Sequence, residues 1–288
     1  MHEYYDLGAY SRPVTTGSDA AQRWFDRGLN WVYAYHHEEA IECFKKALEA
    51  DPNCAMAHWG IAYAVGPNYN KAWDTFEEEE KSDCLSTARA ALNAAAPLLG
   101  DLTAVEVALL NALLKRYPDD ASIEDFQPWN DGYADAMRTV YQQFPDDLDI
   151  ACLFAEAIMN RTPWQLWDLP SGKPAEGANT LEAIKVLESA LSNDPAAWDH
   201  PGLLHMYIHL MEMSPQPEKA LRHGDRLCQL VPDAGHLQHM ATHIDVLCGD
   251  YVNVVLRNQL AIEADNKYLA RAGADNFYTV YRCHNYHF

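Results

Sequence analysis

Two histidine pairs, His205/His209 and His239/His243, repeat with an offset of 34 residues at both members. A period of that length belongs to chains built from stacked helix–turn–helix units. One such unit cannot bury its own apolar face, so neighbours must stack into a curved, elongated body. Residues at i and i+4 share one helix face. Equivalent positions in adjacent units therefore aim four imidazoles at one surface, which a helical scaffold alone does not require.

The clearest unit starts at Ala21. Trp24, Gly28 and Trp31 occupy positions 4, 8 and 11, and Ala40, Phe44, Ala47 and Pro52 occupy positions 20, 24, 27 and 32. This is the tetratricopeptide pattern, in which small residues let paired helices approach, bulky ones fill the notch and proline stops the second helix. The closing cadence "ALEADP" (47–52) returns as "ALSNDP" (190–195), "LCQLVPD" (227–233) and "AIEAD" (261–265). Further helices are expected near 81–97, 102–116, 130–144 and 149–159. The expected fold is all-α: a solenoid of about six degenerate repeats plus a final helix, one superhelical domain over 1–288 behind an N-terminal arm at 1–18. Irregular loops at 66–76 and 161–177 carry Trp73, Trp164 and Trp167 between their Pro and Gly breakers. These tryptophans either close a lid over the groove or plug ends of an imperfect stack.

A formal charge of −21 repels nucleic acid and anionic membrane alike, so neither is an expected partner. Seven scattered cysteines form no C-x-x-C, which reads as a reduced protein without a thiolate zinc site. The N-terminal residues show no signal-peptide pattern, and no stretch is apolar enough to span a membrane. A cytoplasmic location is expected.

Counting Pro201 as position 1 puts His205 at 5, His209 at 9 and Glu212 at 12 of the fifth unit; Gly235 then puts His236, His239 and His243 at 2, 5 and 9 of the sixth. These positions line the solvent-facing concave side of adjacent first helices, whose axes should lie ~10 Å apart. His284 and His287 follow in "CHNYHF", where the last repeat can swing them over the same groove. His200 beside Pro201 reads as a helix cap, His223 as exposed, and His36 and His37 as turn residues. Nine of the thirteen histidines follow residue 199. The expected metal ligands are His205, His209, His236, His239, His243, His284 and His287. Imidazoles with at most one carboxylate suit copper or iron, with zinc possible, and suit magnesium and calcium poorly. Glu156, Glu212 and Tyr207 are the candidate catalytic side chains, and Tyr278, Tyr281 and Tyr286 are candidate supporting phenols or plain packing. Two other readings stand: a polar groove gripping an acidic or aromatic peptide, and a repeat duplication that copied the pair without a ligand.

The segments from "DLGAYSRPV" through "GPNYNKAW", with "HMYIHLMEMSPQPEKAL", "GHLQHMATHI" and "HNYHF", resemble a family of bacterial and fungal tetratricopeptide-repeat proteins. The resemblance implies that His37, His205, His209, His236, His239, His243, His284 and His287 fall on that family's histidine-bearing motifs. Ala241 stands where the family motif usually has proline, and the family commonly runs on into further helices past the last histidines.

No G-x-S-x-G, phosphate-binding glycine loop, dinucleotide fingerprint or H-E-x-x-H is present. Two functions compete. One is a metal enzyme acting on a small organic substrate, by oxygen-dependent copper or iron chemistry first and by zinc-assisted hydrolysis with Glu156 or Glu212 as base second. The other is an interaction scaffold whose groove binds a protein partner's peptide or a second copy; against it, the groove carries His and Glu where carboxylate-gripping clamps display Lys, Arg and Asn.

Overall fold

A computed structural model describes residues 4–118 and 124–288. Six helix pairs follow one another: α1 (Asp19–Tyr33) with α2 (His37–Ala50), α3 (Ala55–Ala64) with α4 (Glu78–Ala95), α5 (Ala104–Leu113) with α6 (Gln127–Gln143), α7 (Leu148–Met159) with α8 (Thr180–Asn193), α9 (Pro201–Met211) with α10 (Leu221–Leu227), and α11 (Gly235–Leu247) with α12 (Tyr251–Ala272). A final helix, α13 (Thr279–His287), packs on α11 and α12. The fold is the expected all-α solenoid, with a two-residue hairpin at Trp167–Asp168 and Lys173–Pro174 inside the second irregular loop. No described helix is long and apolar enough to cross a membrane.

Local chemistry sets the helix ends. Ser18 accepts from the Ala21 amide, Asp147 from Ile150, and Thr103 with Glu106 forms a reciprocal capping box. The Phe44 ring shows why the repeat pattern packs. A methyl on Gly28 or on Gly60 would lie 2.5 Å from that ring, so both glycines clear the space it fills between α1 and α3.

The stack curls until its first pair meets its last. Glu38 accepts from the Tyr268 hydroxyl at 3.1 Å, Arg271 pairs with Glu39, and the Asp6 amide donates to Asp233 at 2.8 Å. The same curl brings α1 against α9. The concave side is thus wrapped by helices and loops, and side chains projecting into it are buried.

Candidate metal centre

α9 and α11 are first helices of neighbouring pairs, and their i, i+4 histidines face the same interior. α11 begins at Gly235, so His236 lies in its first turn, where the Tyr278 hydroxyl accepts from the His236 amide at 3.1 Å. α13 contributes His284. Two triads result, His205–His209–His236 and His239–His243–His284, each offering ligand atoms within 4.8 Å of one another. At metal–nitrogen distances of about 2.0–2.1 Å two ligands on one ion stand at most about 4.2 Å apart, so small ring rotations close either triad. The first triad is fully buried, whereas His243 and His284 are partly exposed.

In four of the six rings the second nitrogen is tied down. His205 Nδ1 donates to the Tyr33 carbonyl at 2.7 Å, His209 Nδ1 to Glu212 Oε1 at 2.8 Å, and His243 Nδ1 to Glu212 Oε2 at 3.0 Å. His239 Nδ1 donates to Asn258 Oδ1 at 2.7 Å, and the amide orientation is fixed because Asn258 Nδ2 donates to the Val254 carbonyl. A proton on Nδ1 leaves a lone pair on Nε2, the tautomer that metal-ligating histidines adopt when carboxylates or carbonyls hold them from behind. The His239 and His243 Nε2 atoms then face each other at 2.9 Å, two lone pairs that need a proton or a cation between them. His205 and His236 Nε2 stand 3.2 Å apart, and the buried His209 Nε2 has no partner.

Burial and neighbouring imidazoles push His205, His236 and His239 well below the ordinary histidine pKa, which keeps these rings neutral. Burial alone would raise Glu212, but hydrogen bonds from His209 and His243 outweigh it and lower the carboxyl to about 2. The centre therefore holds six imidazoles around one carboxylate.

Aromatic rings wall the cluster. Tyr35 faces His205, His209 and His236 at centroid distances of 4.6, 5.8 and 5.7 Å. Tyr69 and Trp164 pack on His209, Tyr281 packs on His236, and Phe288 packs on His239, His243 and His284. Among the described residues, Tyr35 (φ 54°) and Trp164 (φ 62°) are the non-glycine residues with positive φ, and both touch His209. Strained backbone collects where the surrounding structure over-determines it, commonly at functional sites.

Several expectations need correction. The histidines do not line an exposed groove, because the first pair and the two irregular loops close over it. Of the loop tryptophans, Trp164 packs on the centre and Trp167 pins its loop by donating to the Leu210 carbonyl at 2.7 Å, whereas Trp73 is stacked on Phe126 elsewhere. Tyr207 points away, bonded to Glu188 and stacked on His223. His223 is buried between Trp198 and Tyr207 rather than exposed. His287 is exposed at the end of α13 and joins neither triad. Glu156 is buried behind Tyr35, where the Tyr63 and Tyr35 hydroxyls hold it and burial raises its carboxyl. Tyr286 is exposed, and Tyr278 and Tyr281 are buried beside His236. His200 does cap α9, accepting from the Leu203 amide at 3.1 Å. His36 is stacked on Tyr278, and His36, His37 and Tyr278 line a cavity of about 240 Å³ with Tyr35, Lys71 and Phe277. The anchors Asn258, Tyr35 and Tyr69 were not among the expected site residues; Tyr69, inside the first aromatic loop, carried the nearest thing to a signal.

A search of curated proteins returned no match. The tetratricopeptide repeat family model matches residues 21–54, the unit formed by α1, α2 and the turn into α3. The chain thus contains a tetratricopeptide repeat at its first helix pair, and the histidine cluster lies on its fifth and sixth pairs and the final helix.

Proposed function

We propose that this chain is a histidine-ligated transition-metal oxidoreductase that uses dioxygen on a small organic substrate, with copper as its metal. The observation behind this reading is the pair of Nε2 lone pairs on His239 and His243, 2.9 Å apart and fixed by Asn258 and Glu212. Imidazoles suit copper, iron and zinc. Iron of the facial-triad type takes a carboxylate ligand, but the Glu212 oxygens here already accept two Nδ1–H groups. A zinc hydrolase needs a base facing the ion, yet Glu212 is occupied and Glu156 stands behind Tyr35. Three nitrogens per ion leave a coordination position open for reaction. Tyr35, Tyr69 and Trp164 wall the first triad, while Glu212, Asn258 and the Tyr33 carbonyl orient His209, His243, His239 and His205. We place the protein in the cytoplasm, where reduced cysteines and cuprous copper coexist.

The tetratricopeptide repeat supports a second reading, because such repeats commonly mediate protein–protein contacts and the matched unit belongs to that class. The concave side is filled, so a partner protein or a second copy would dock on another face. Oxygen-electrode measurements on copper-loaded protein with a panel of small phenols and amines test the first reading. Oxygen uptake that is lost in His239→Ala supports it; absent uptake together with capture of a protein partner by the metal-free chain supports the scaffold.

A further inference from the structure

The two triads share one carboxylate. Glu212 Oε1 takes the Nδ1 proton of His209 in the first triad and Glu212 Oε2 takes that of His243 in the second. From this link, and resting on the metal-binding reading above, we propose that the cluster is a two-ion centre. Each triad holds one copper, and Glu212 is the positioning residue that couples the pair.

Six imidazoles exceed what one four-coordinate ion takes, and they fall into separate sets. Within each set the ligand atoms lie within 4.8 Å of one another and ring centroids are 4.7–6.1 Å apart, whereas the ring centroids of His236 and His239, neighbours across the boundary on α11, are 6.4 Å apart. The repeat explains the doubling. The i, i+4 pair of α9 recurs 34 residues later on α11, and each pair is completed by a third histidine from two helices further on, His236 on α11 and His284 on α13. A single mononuclear site would leave three of the six rings without a task.

Charge selects the ion. Two divalent cations beside one buried carboxylate leave a large uncompensated charge, whereas two cuprous ions leave +1. The resting form is therefore dicuprous. Dioxygen spanning the ions takes one electron from each, giving two cupric ions and one peroxide, and this step needs no proton or further reactant. The buried first triad and partly exposed second triad set the order of access: small species enter past His284 and His243.

Anaerobic loading of the full chain with cuprous copper, followed by elemental analysis, oxygen exposure and electron paramagnetic resonance, tests the pair. The expected result is two coppers per chain, a cupric X-ray absorption edge after oxygen, and no paramagnetic signal, because adjacent cupric spins cancel. Two coppers with a full cupric signal, or one copper per chain, overturns the pair while leaving metal binding in place; no copper removes both. His284→Ala, a change at a partly exposed position, should keep the fold and turn the silent centre into a one-copper form with a cupric signal. Glu212→Gln offers one acceptor and one donor where two acceptors are needed, so one triad should lose affinity by about 10–100-fold and cooperative loading should disappear. Unchanged cooperative two-copper loading in Glu212→Gln would overturn the coupling role.

Discussion

His239 shows how much of the chemistry is decided one residue away from the ligand. Its spacing to His243 places both rings on one face of α11, but spacing does not say which nitrogen points inward. Asn258, nineteen residues on and in the next helix, settles that by accepting the Nδ1 proton. Replacing Asn258 with Leu leaves a buried N–H without a partner, at a cost of about 1–3 kcal/mol, and frees the ring to adopt the wrong tautomer. Copper affinity measured by competition with a chromophoric chelator should fall by about 10–100-fold, with the helical circular dichroism preserved. An unchanged affinity would mean that the ring orientation is set elsewhere. The histidine pairs and Glu212 were legible in the sequence because they obey the helical period. Asn258 and the Tyr33 carbonyl were not, since contacts across 19 and 172 residues leave no periodic trace. Tyr207 fits the period equally well and faces Glu188 instead, so periodicity names a helix face without saying which chemistry it meets.

At the scale of elements, the close-packed rings and the buried carboxylates carry the testable weight. Phe44 lies against both Gly28 and Gly60, and Gly28→Ala or Gly60→Ala should each destabilise the chain by about 1–3 kcal/mol through overpacking, read as a lower urea midpoint. This clasp was readable beforehand, because Gly28 and Phe44 occupy the small and bulky repeat positions. Asp265 joins α12 to α13 by accepting from Asn285 at 2.7 Å, and burial raises its carboxyl from 3.8 to about 6. A folded-state value above the unfolded one gives stability that is present below about pH 4 and is lost as pH rises through about 6. Wild type should therefore lose about 2–3 kcal/mol relative to Asp265→Asn between about pH 4 and pH 8. Parallel urea-midpoint curves for the two proteins would show that the carboxyl is not buried as described. Nothing in the sequence marks Asp265 for this role, because its cost arises from α13 folding back over α12.

Over the whole molecule, the six pairs and final helix follow from the repeated cadence, whereas the curvature does not. Small rotations between pairs add up until Glu38 and Glu39 reach Tyr268 and Arg271, and that closure turns an expected open groove into a buried centre. An ion held there ties α9, α11 and α13 together in the native state alone. Copper at about 100 times its dissociation constant should then raise stability by about 2.7 kcal/mol, seen as a higher melting temperature that a chelator reverses. The most direct test of the account is the copper, iron and zinc content of the purified, untreated chain beside that of a His239→Ala/His243→Ala double variant. The account predicts stoichiometric transition metal, chiefly copper, in the wild type and a marked loss in the variant. A wild-type chain that carries no such metal and takes up none on cuprous titration would contradict it.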